Sequence, residues 1–371
     1  MKIGVDIRPL AEPALTGIGH YTVEILREFS ERSMLQGDKL CLFSSGYKPR
    51  NPILKRLLLS SNIEHVHVPL PNKLINLTLR SSLSPSIELF APNLDYLWLP
   101  NINFYTARGT IPYAVTVHDL SFLHMPSLYS LKRRLWHRAI ALTRLLDRAD
   151  KIITLSENTK EDILFFFPQL KSKPIQVIYP GISGQNIVSD DIAAFKKKHH
   201  LGNNVILFVG TLEPRKNVAL LIKAFRRLIQ THHNTELVIA GKYGWLQRKL
   251  RTQFADDTRI RWFGYVSEKE KHMLYSIAKI FVWPSLYEGF GFPPLESLTH
   301  GATVITSYRT SLPEVLLNHA IYINPHNCGE LVEVLKQAMD RSDSATKPGY
   351  DALKHYNWKI AAQNTLDFLK S

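Results

Sequence analysis

One order of elements occurs twice in this chain, and that repetition restricts its fold more than any other feature. KIGVDIRPL, from Lys2 to Leu10, is a short apolar run carrying Ile3, Val5 and Ile7. A loop through Thr16, Gly17, Ile18 and Gly19 follows, and then HYTVEILREFSERS, whose Tyr21, Ile25, Leu26 and Phe29 share one helical face. At Asn204 the order restarts: NVILFVGT reads as a buried strand, LEPRK as a loop, and NVALLIKAFRRLIQ as an amphipathic helix capped by Asn217. Further strand patterns are KLCLFSS, IEHVHVP, AVTVHDL (114–120) and KIITLSE (151–157) in the first half, and ELVIAG, RIRWFGYV, IFVWPS and ATVIT in the second. Strands alternating with helices predict parallel sheets covered on both faces. A chain of 371 residues is long for one core and suits two. The halves share architecture without a close sequence repeat, which excludes a solenoid.

The boundaries follow from the same pattern. IQVIYPGISGQN reads as a last strand and exit loop, so the first domain is expected to span 1–186. A polar stretch to Asn203, with KKKHH at 196–200, marks the junction, and the second domain is expected over 187–350. Residues 351–371 contain WKIAAQNTLDFLKS, a predicted helix with Trp358, Ala361, Ala362, Leu366 and Leu369 on one face, expected to pack back toward the first domain. Ligands of open α/β sheets sit outside the carboxyl ends of the strands, and two such edges can enclose one cleft.

Charge narrows the partners. The net charge of +14 allows nucleic acid, anionic lipid or an anionic substrate. No RGG tract, zinc finger or RNP-like aromatic motif supports nucleic acid, and none is expected as a partner. The segment Ser127 to Ala149 predicts one strong basic helix, with Leu131, Leu135, Trp136, Ala139 and Leu142 among Lys132, Arg133, Arg134, Arg138 and Arg144. Such a helix either packs on the core with a charged outer face or meets an anionic membrane. Met1-Lys2 leads directly into a strand pattern, and the apolar runs fall short of the roughly 18 residues of a span, so a cytoplasmic protein is expected, with contact at the inner face of the membrane as an option. Cys41 and Cys328 match no zinc or CxxC spacing and read as free thiols.

Two stretches carry the chemistry. In WPSLYEGFGFPPLE, Glu288 and Glu296 stand eight residues apart around a Gly-Phe-Gly-Phe-Pro-Pro segment. Glu288 is expected in the loop past the IFVWPS strand, and Glu296 in or near the first turn of a helix opened by Pro293 and Pro294 and stopped at Gly301. Taken singly, Glu296 could serve its helix dipole and Glu288 could be solvated. As a string, two glycines that bring backbone close to a ligand and two phenylalanines expected to be exposed suit a phosphate flanked by hydroxyl groups. The second stretch, GTLEPRKN, puts Arg215 and Lys216 before a helix, where a planar fork and a compact cation both favour a diphosphate; a solvated basic turn is the plain alternative. TGIGHY is weaker, since glycines before a helix serve packing as well as phosphate approach. In VTVHDLSFL, His118 directly follows a buried strand and is either a structural histidine or a reacting group.

TGIGHYT, HDLSFL, GTLEPRKN, WPSLYEGFGFPPLE and SLPEV together resemble the retaining glycosyltransferases of family 4, which have the GT-B fold of two Rossmann-like, doubly wound domains. The resemblance covers essentially the whole chain. Its opening GVDIRPL and TGIGHYT look most like the mannosyltransferase-B-like branch. The resemblance implies that Glu296 holds the donor ribose and Glu288 faces the transferred sugar. It also implies that Arg215 and Lys216 neutralise the donor diphosphate and that His118 lies near the reacting sugar. Phe290, Gly291, Phe292 and Leu295 would meet the donor through the loop and helix start, Gly17 and Gly19 would close over the phosphates, and Val266 would border the base. His20 stands where close relatives often have Arg, and SYRTSLPEV is bulkier than usual. The implied activity is transfer of a sugar, best matched by mannose from GDP-mannose, to a glycan or lipid-linked acceptor, as in lipopolysaccharide, O-antigen or exopolysaccharide assembly. The resemblance implies transfer without a metal, and no DxD motif is present, so no cofactor and no metal are expected. A UDP- or dTDP-sugar donor, or a non-catalytic sugar-nucleotide-binding relative, are the alternatives.

Overall fold

Runs of Val, Ile and Leu between amphipathic segments build two parallel sheets in the computed structural model, which describes residues 1–11, 15–31, 35, 37–46, 57–58, 60–71, 93–105, 111–182, 187–242, 244, 248–254, 257–341 and 353–371. The first sheet has β1 (Lys2–Asp6), β2 (Lys39–Ser45), β3 (Ile63–Val68), β4 (Tyr96–Leu99), β5 (Tyr113–Val117), β6 (Lys151–Thr154) and β7 (Ile175–Val177), in the order β3-β2-β1-β4-β5-β6-β7. The second has β8 (Asn204–Val209), β9 (Thr235–Ala240), β10 (Ile260–Gly264), β11 (Ile280–Trp283), β12 (Thr303–Ser307) and β13 (Ile321–Ile323), in the order β10-β9-β8-β11-β12-β13. The pairings are parallel throughout. Both sheets are buried on two faces: every residue of β4, β5 and β11 is buried, and Val205 to Val209 of β8 likewise. Each winds outward from its first strand and then resumes on the other side, so the direction reverses between β1 and β4 and between β8 and β11.

The chain divides into two compact units, Met1–Gly181 with Tyr356–Ser371, and Ile182–His355. The first unit thus ends at Gly181 rather than near residue 186; residues 183–186 and 342–352 lie outside the described residues. Gly181 is pressed against the tail, since a Cβ there would stand 2.2 Å from the Trp358 nitrogen. The tail helix Trp358–Lys370 buries Ala361, Ala362, Thr365, Leu366 and Leu369 and packs on the helix Gly17–Phe29. Asn357 caps its start, and Lys151 donates to the Phe368 carbonyl at its end (2.8 Å).

Three expectations are corrected. The polar stretch after residue 187 is not a linker: Ser189–Lys198 is a helix of the second unit packed on Glu268–Ile277 and tied to it by an Asp191–Lys269 ion pair (2.7 Å). The basic segment is not one helix. It forms a short 3-10 turn at Pro126–Leu128 and two helices, Leu131–Ala139 and Leu142–Arg148, broken where Ala141 takes a left-handed φ of 53°. The helix Leu131–Ala139 fully buries none of its residues: Ala139 packs against the core and Trp136 stands edge-on to Phe104, while Leu131 and Leu135 are exposed. Asn217 stands at a helix start, but its side chain donates to the Pro325 carbonyl (2.7 Å) instead of capping Val218–Leu228. At Glu157–Phe166 the cap is Ser156, accepting from the Thr159 N–H.

Candidate active site

At the reversal of the second sheet, the segments leaving β8 and β11 are laced together. The turn Pro214–Lys216 follows β8, and Ser285 to Glu288 follow β11. The Leu286 N–H and the Ser285 hydroxyl both donate to the Arg215 carbonyl, at 2.8 and 3.1 Å. Across this seam Lys216 Nζ lies 2.5 Å from Glu288 Oε1, and the Trp283 indole N–H donates to the same oxygen (2.9 Å). Arg215 Nη1 reaches Glu288 Oε2 at 3.2 Å and donates to the Tyr287 carbonyl, while its Nε donates to Glu213 (2.9 Å). The Lys216 ammonium sits 4.6 Å from the centre of the Trp283 ring, which stacks on Phe208. A third strand end closes the set: past β12, Thr310 Oγ1 accepts the Glu288 N–H, and Ser311 donates to the Glu288 and Phe290 carbonyls.

This is a charged cluster taken out of water. Glu288 is 5% exposed and Lys216 7%. Burial alone would raise the Glu288 pKa, but the Lys216 ammonium and Arg215 guanidinium outweigh it and hold the carboxyl below its ordinary range. Burial, and then the Arg215 charge, push the Lys216 amine down, against the pull of Glu288 and Glu213. Two carboxylates and two cations therefore balance, and the cations are preset in position.

Glu296 has a different setting. It lies in the helix Phe292–Thr299, beyond the first turn, where Pro293 and Pro294 sit at the start as expected. Its Oε1 accepts from Lys271 Nζ and its Oε2 from the Tyr275 hydroxyl, both at 3.0 Å. Lys271 also pairs with Glu268 (2.9 Å). Burial works against the Lys271 charge, yet Glu296 and Glu268 raise its pKa on balance. The partners come from the helix Glu268–Ile277, opened by a reciprocal Ser267–Glu270 capping box. Beneath them His272 Nδ1 meets His300 Nε2 (2.8 Å), whose Nδ1 meets the Ser276 hydroxyl; burial depresses both histidines to about 4.

Arg215, Lys216 and Glu288 are thus brought into direct contact, with Glu288 buried and not solvated. Phe290 is buried too, against the expectation of exposure, and Leu295 is fully buried; neither side chain is open to a ligand, which leaves their backbone groups. Phe292 is half-buried, its ring 5.0 Å from that of Phe290. Gly291 is needed as glycine: its φ is +103°, and a Cβ would meet Leu312 at 2.9 Å. Val266 is half-buried just past β10 and before the Ser267 cap. In the first unit, Gly17 and Gly19 lie inside the first turn of Gly17–Phe29, not in a loop before it. A Cβ at Gly17 would meet nothing within 4 Å, whereas one at Gly19 would touch Leu15 at 3.0 Å. His118 follows β5 directly. Its Nε2 hydrogen goes to the Pro100 carbonyl (2.8 Å) and its ring stands edge-on to Tyr21. Burial lowers its pKa, partly opposed by the Pro100 bond, so Nδ1 is left with a lone pair.

Sequence reasoning missed Glu213, Trp283, Thr310, Ser311, Lys271 and Tyr275 as members of the site. Thr310 and Ser311 were findable, because they stand past β12 as Glu288 stands past β11. Lys271 and Tyr275 gave only an ordinary i,i+4 spacing on a helix.

Comparison with known proteins places the chain in a family. Residues 15–185 match the family described as Glycosyltransferase Family 4, and residues 189–355 match Glycosyl transferases group 1. The chain is 27% identical to O-antigen chain mannosyltransferase B of Escherichia coli over the full length of both proteins. It is 28% identical to O-antigen chain mannosyltransferase RfbU of Salmonella typhimurium over 59% of this chain and 60% of that one. Among solved structures, sucrose-phosphate synthase from Thermosynechococcus elongatus superposes with a TM-score of 0.75 at 15% identity, covering 100% of this chain and 98% of that one. WaaG, a glycosyltransferase involved in lipopolysaccharide biosynthesis, gives 0.64 at 17% identity, covering 99% and 95%. The chain belongs to the family 4 glycosyltransferases and has the GT-B fold.

Proposed function

We propose that this glycosyltransferase moves mannose from GDP-mannose to a hydroxyl of a glycan or lipid-linked acceptor, in the assembly of a lipopolysaccharide O-antigen, with retention at the anomeric carbon. The observation that carries the reading of the site is the Arg215–Lys216 pair, fixed at the switch point of the second sheet by Glu288 and Glu213. Departure of a nucleoside diphosphate builds negative charge on its bridging oxygen, and preset cations stabilise it without reorganisation. These two side chains take the part that a divalent metal plays elsewhere, so neither metal nor cofactor is required. Glu296 accepts the ribose hydroxyls. Glu288 orients the sugar and keeps the two cations in place. A nucleophile for double displacement would have to be a free carboxylate beneath the anomeric carbon, and Glu288 already accepts from three donors. Attack from the front face, guided by the leaving phosphate, is favoured. The mannose assignment rests on the names of the two O-antigen relatives.

Thermal stabilisation by a panel of nucleotides and sugar nucleotides, with and without magnesium, tests this. A ligand at 100 times its Kd adds about 2.7 kcal/mol, a shift of roughly 5–11 °C for a unit of this size. The expected result is a magnesium-independent shift with GDP and GDP-mannose that Arg215→Ala abolishes. A shift with UDP or dTDP ligands alone would keep the reaction and replace the sugar. Donor binding with neither transfer nor hydrolysis would leave a non-catalytic relative.

A specific observation favours contact with an anionic membrane. On the helix Leu131–Ala139, Leu131 is 74% exposed, Leu135 66% and Trp136 40%, beside Lys132, Arg133, Arg134 and Arg138. Among the described residues no helix is long and apolar enough to cross a membrane, so attachment here is peripheral, at the inner face of the cell membrane. Sedimentation with vesicles containing anionic lipid at low salt checks it, and absence of binding discards it.

A further inference from the structure

The carboxylate of Glu296 is gripped from one side by two residues that the family assignment leaves without a role. Lys271 and Tyr275 lie four residues apart on the helix Glu268–Ile277 and each takes a different oxygen of Glu296, at 3.0 Å. Neither is a loose surface contact. Tyr275 is fully buried, and the Lys271 side chain is 15% exposed. The helix that carries them is fixed at its start by the capping box and beneath by the His272–His300–Ser276 chain.

Stability alone does not call for this arrangement. A largely buried ion pair commonly does no better than apolar residues of the same volume. A Glu296 serving only its helix would need no ammonium from a neighbouring one. The arrangement has a different consequence. A carboxylate offers about four acceptor positions, two on each oxygen. Lys271 and Tyr275 occupy one on each, which stops rotation of the group and leaves one acceptor position on each oxygen. Two fixed, adjacent acceptors match two vicinal hydroxyls, and preorganisation of this kind raises affinity by cutting the entropy lost on binding.

We propose that Lys271 and Tyr275 are positioning residues for recognition of the ribose diol of a nucleoside diphosphate, acting by locking the Glu296 carboxylate in the orientation that accepts both hydroxyls. This rests on the reading of Glu296 as the ribose ligand, and the experiment separates the two. Dissociation constants are measured by calorimetry for GDP and 2′,3′-dideoxy-GDP, or for the UDP pair if UDP binds the tighter. The proteins are the wild type, Lys271→Met, Lys271→Arg and Tyr275→Phe. The wild type should prefer the ribonucleotide. Lys271→Met should lose about tenfold of that preference (about 1.4 kcal/mol) and bind the dideoxy nucleotide unchanged. Tyr275→Phe, the milder change, should lose about threefold, and Lys271→Arg should restore most of the wild-type preference. If both variants weaken the two nucleotides by the same factor, or weaken neither, Lys271 and Tyr275 only hold the helices together and the proposal is overturned. If the wild type shows no preference, Glu296 does not bind the diol, and the reading beneath the proposal falls with it.

Discussion

Two regions concentrate positive charge, and they treat it in opposite ways. At Arg215–Lys216 the lysine is buried and the arginine half-buried, each held against Glu288, and the neighbouring Glu213 completes the balance. On the helix Leu131–Ala139 every Lys and Arg is exposed, and Leu131, Leu135 and Trp136 beside them are exposed as well. A buried ion needs its counter-ion because desolvation costs several kcal/mol. An exposed one is already satisfied by water and remains available to an anionic surface. Clusters of Lys and Arg in the sequence therefore encode a fixed electrostatic tool in one place and an adhesive surface in the other.

The largest expected effect comes from breaking the buried cluster on one side. Glu288→Ala leaves Lys216 uncompensated in the interior and should cost about 3–5 kcal/mol of the second unit's stability, read as a lowered midpoint in urea, together with loss of transfer. Removing both partners sharpens the point. In Glu288→Gln combined with Lys216→Met, most of the stability should return, because no unpaired charge is left buried, while transfer stays abolished. A double variant as unstable as Glu288→Ala would show that the cluster is structural cement and would weaken its assignment to the diphosphate.

Much of this contrast is legible in the sequence, and the part that is not has a physical pattern. Parallel strands buried on both faces are continuous apolar runs, so β8, β11 and β12 and the loops past them were plain. Pro293, Pro294 and Gly301 bounded the Glu296 helix because their backbone preferences are local. The Glu288–Lys216 contact joins residues 72 apart in the chain, and nothing local separates a solvated Glu288 from a buried one. The short strands β4 and β13, of four and three residues, gave no strand pattern that was read. The break at Ala141 carries no Gly or Pro, so SLYSLKRRLWHRAIALTRLLDRA reads as one helix. The exposure of Leu131 and Leu135 could not be anticipated, because apolar spacing along a helix does not say whether the face is covered.

The exposed region predicts the opposite mutational behaviour. Replacing Arg134 and Arg138 with alanine should change stability by no more than about 0.5 kcal/mol for each residue, since both side chains are exposed. The same change should weaken binding to vesicles with anionic lipid by about 1 kcal/mol per residue, about fivefold each at low salt. Leu135→Ser should reduce vesicle binding further without altering nucleotide affinity. If Arg134→Ala with Arg138→Ala lowers the thermal midpoint as Glu288→Ala does, the two basic regions are not different in kind.

Acid should separate the two regions by the smallest margin, and the signs can be worked out. His137, on the basic helix, stacks on Phe122 (4.0 Å between centres) and is depressed to about 4, by burial first and by Arg133 as well, against the pull of Asp119. A group with a lowered folded pKa contributes stability that is complete above its unfolded value, near 6.5, and is lost as pH falls toward 4. Glu288 is also lowered, but from 4.5, so its contribution is complete above that value and disappears only as pH drops through the folded one. His272 and His300, in the same unit as Glu288, titrate in the window of His137, so a fall in overall stability between 6.5 and 4.5 does not report on the ion cluster. The informative comparison is by variant. His137→Phe, which keeps the stack, should flatten the loss of amide protection around residues 121–148 in that window. Glu288→Gln should run parallel to the wild type there and converge toward it only below 4.5, once the wild-type carboxylate begins to take up its proton. A Glu288→Gln curve already converging at pH 6 would mean that the Glu288 carboxylate gains its proton far above its ordinary range, and that the cations of the cluster do not hold it ionised.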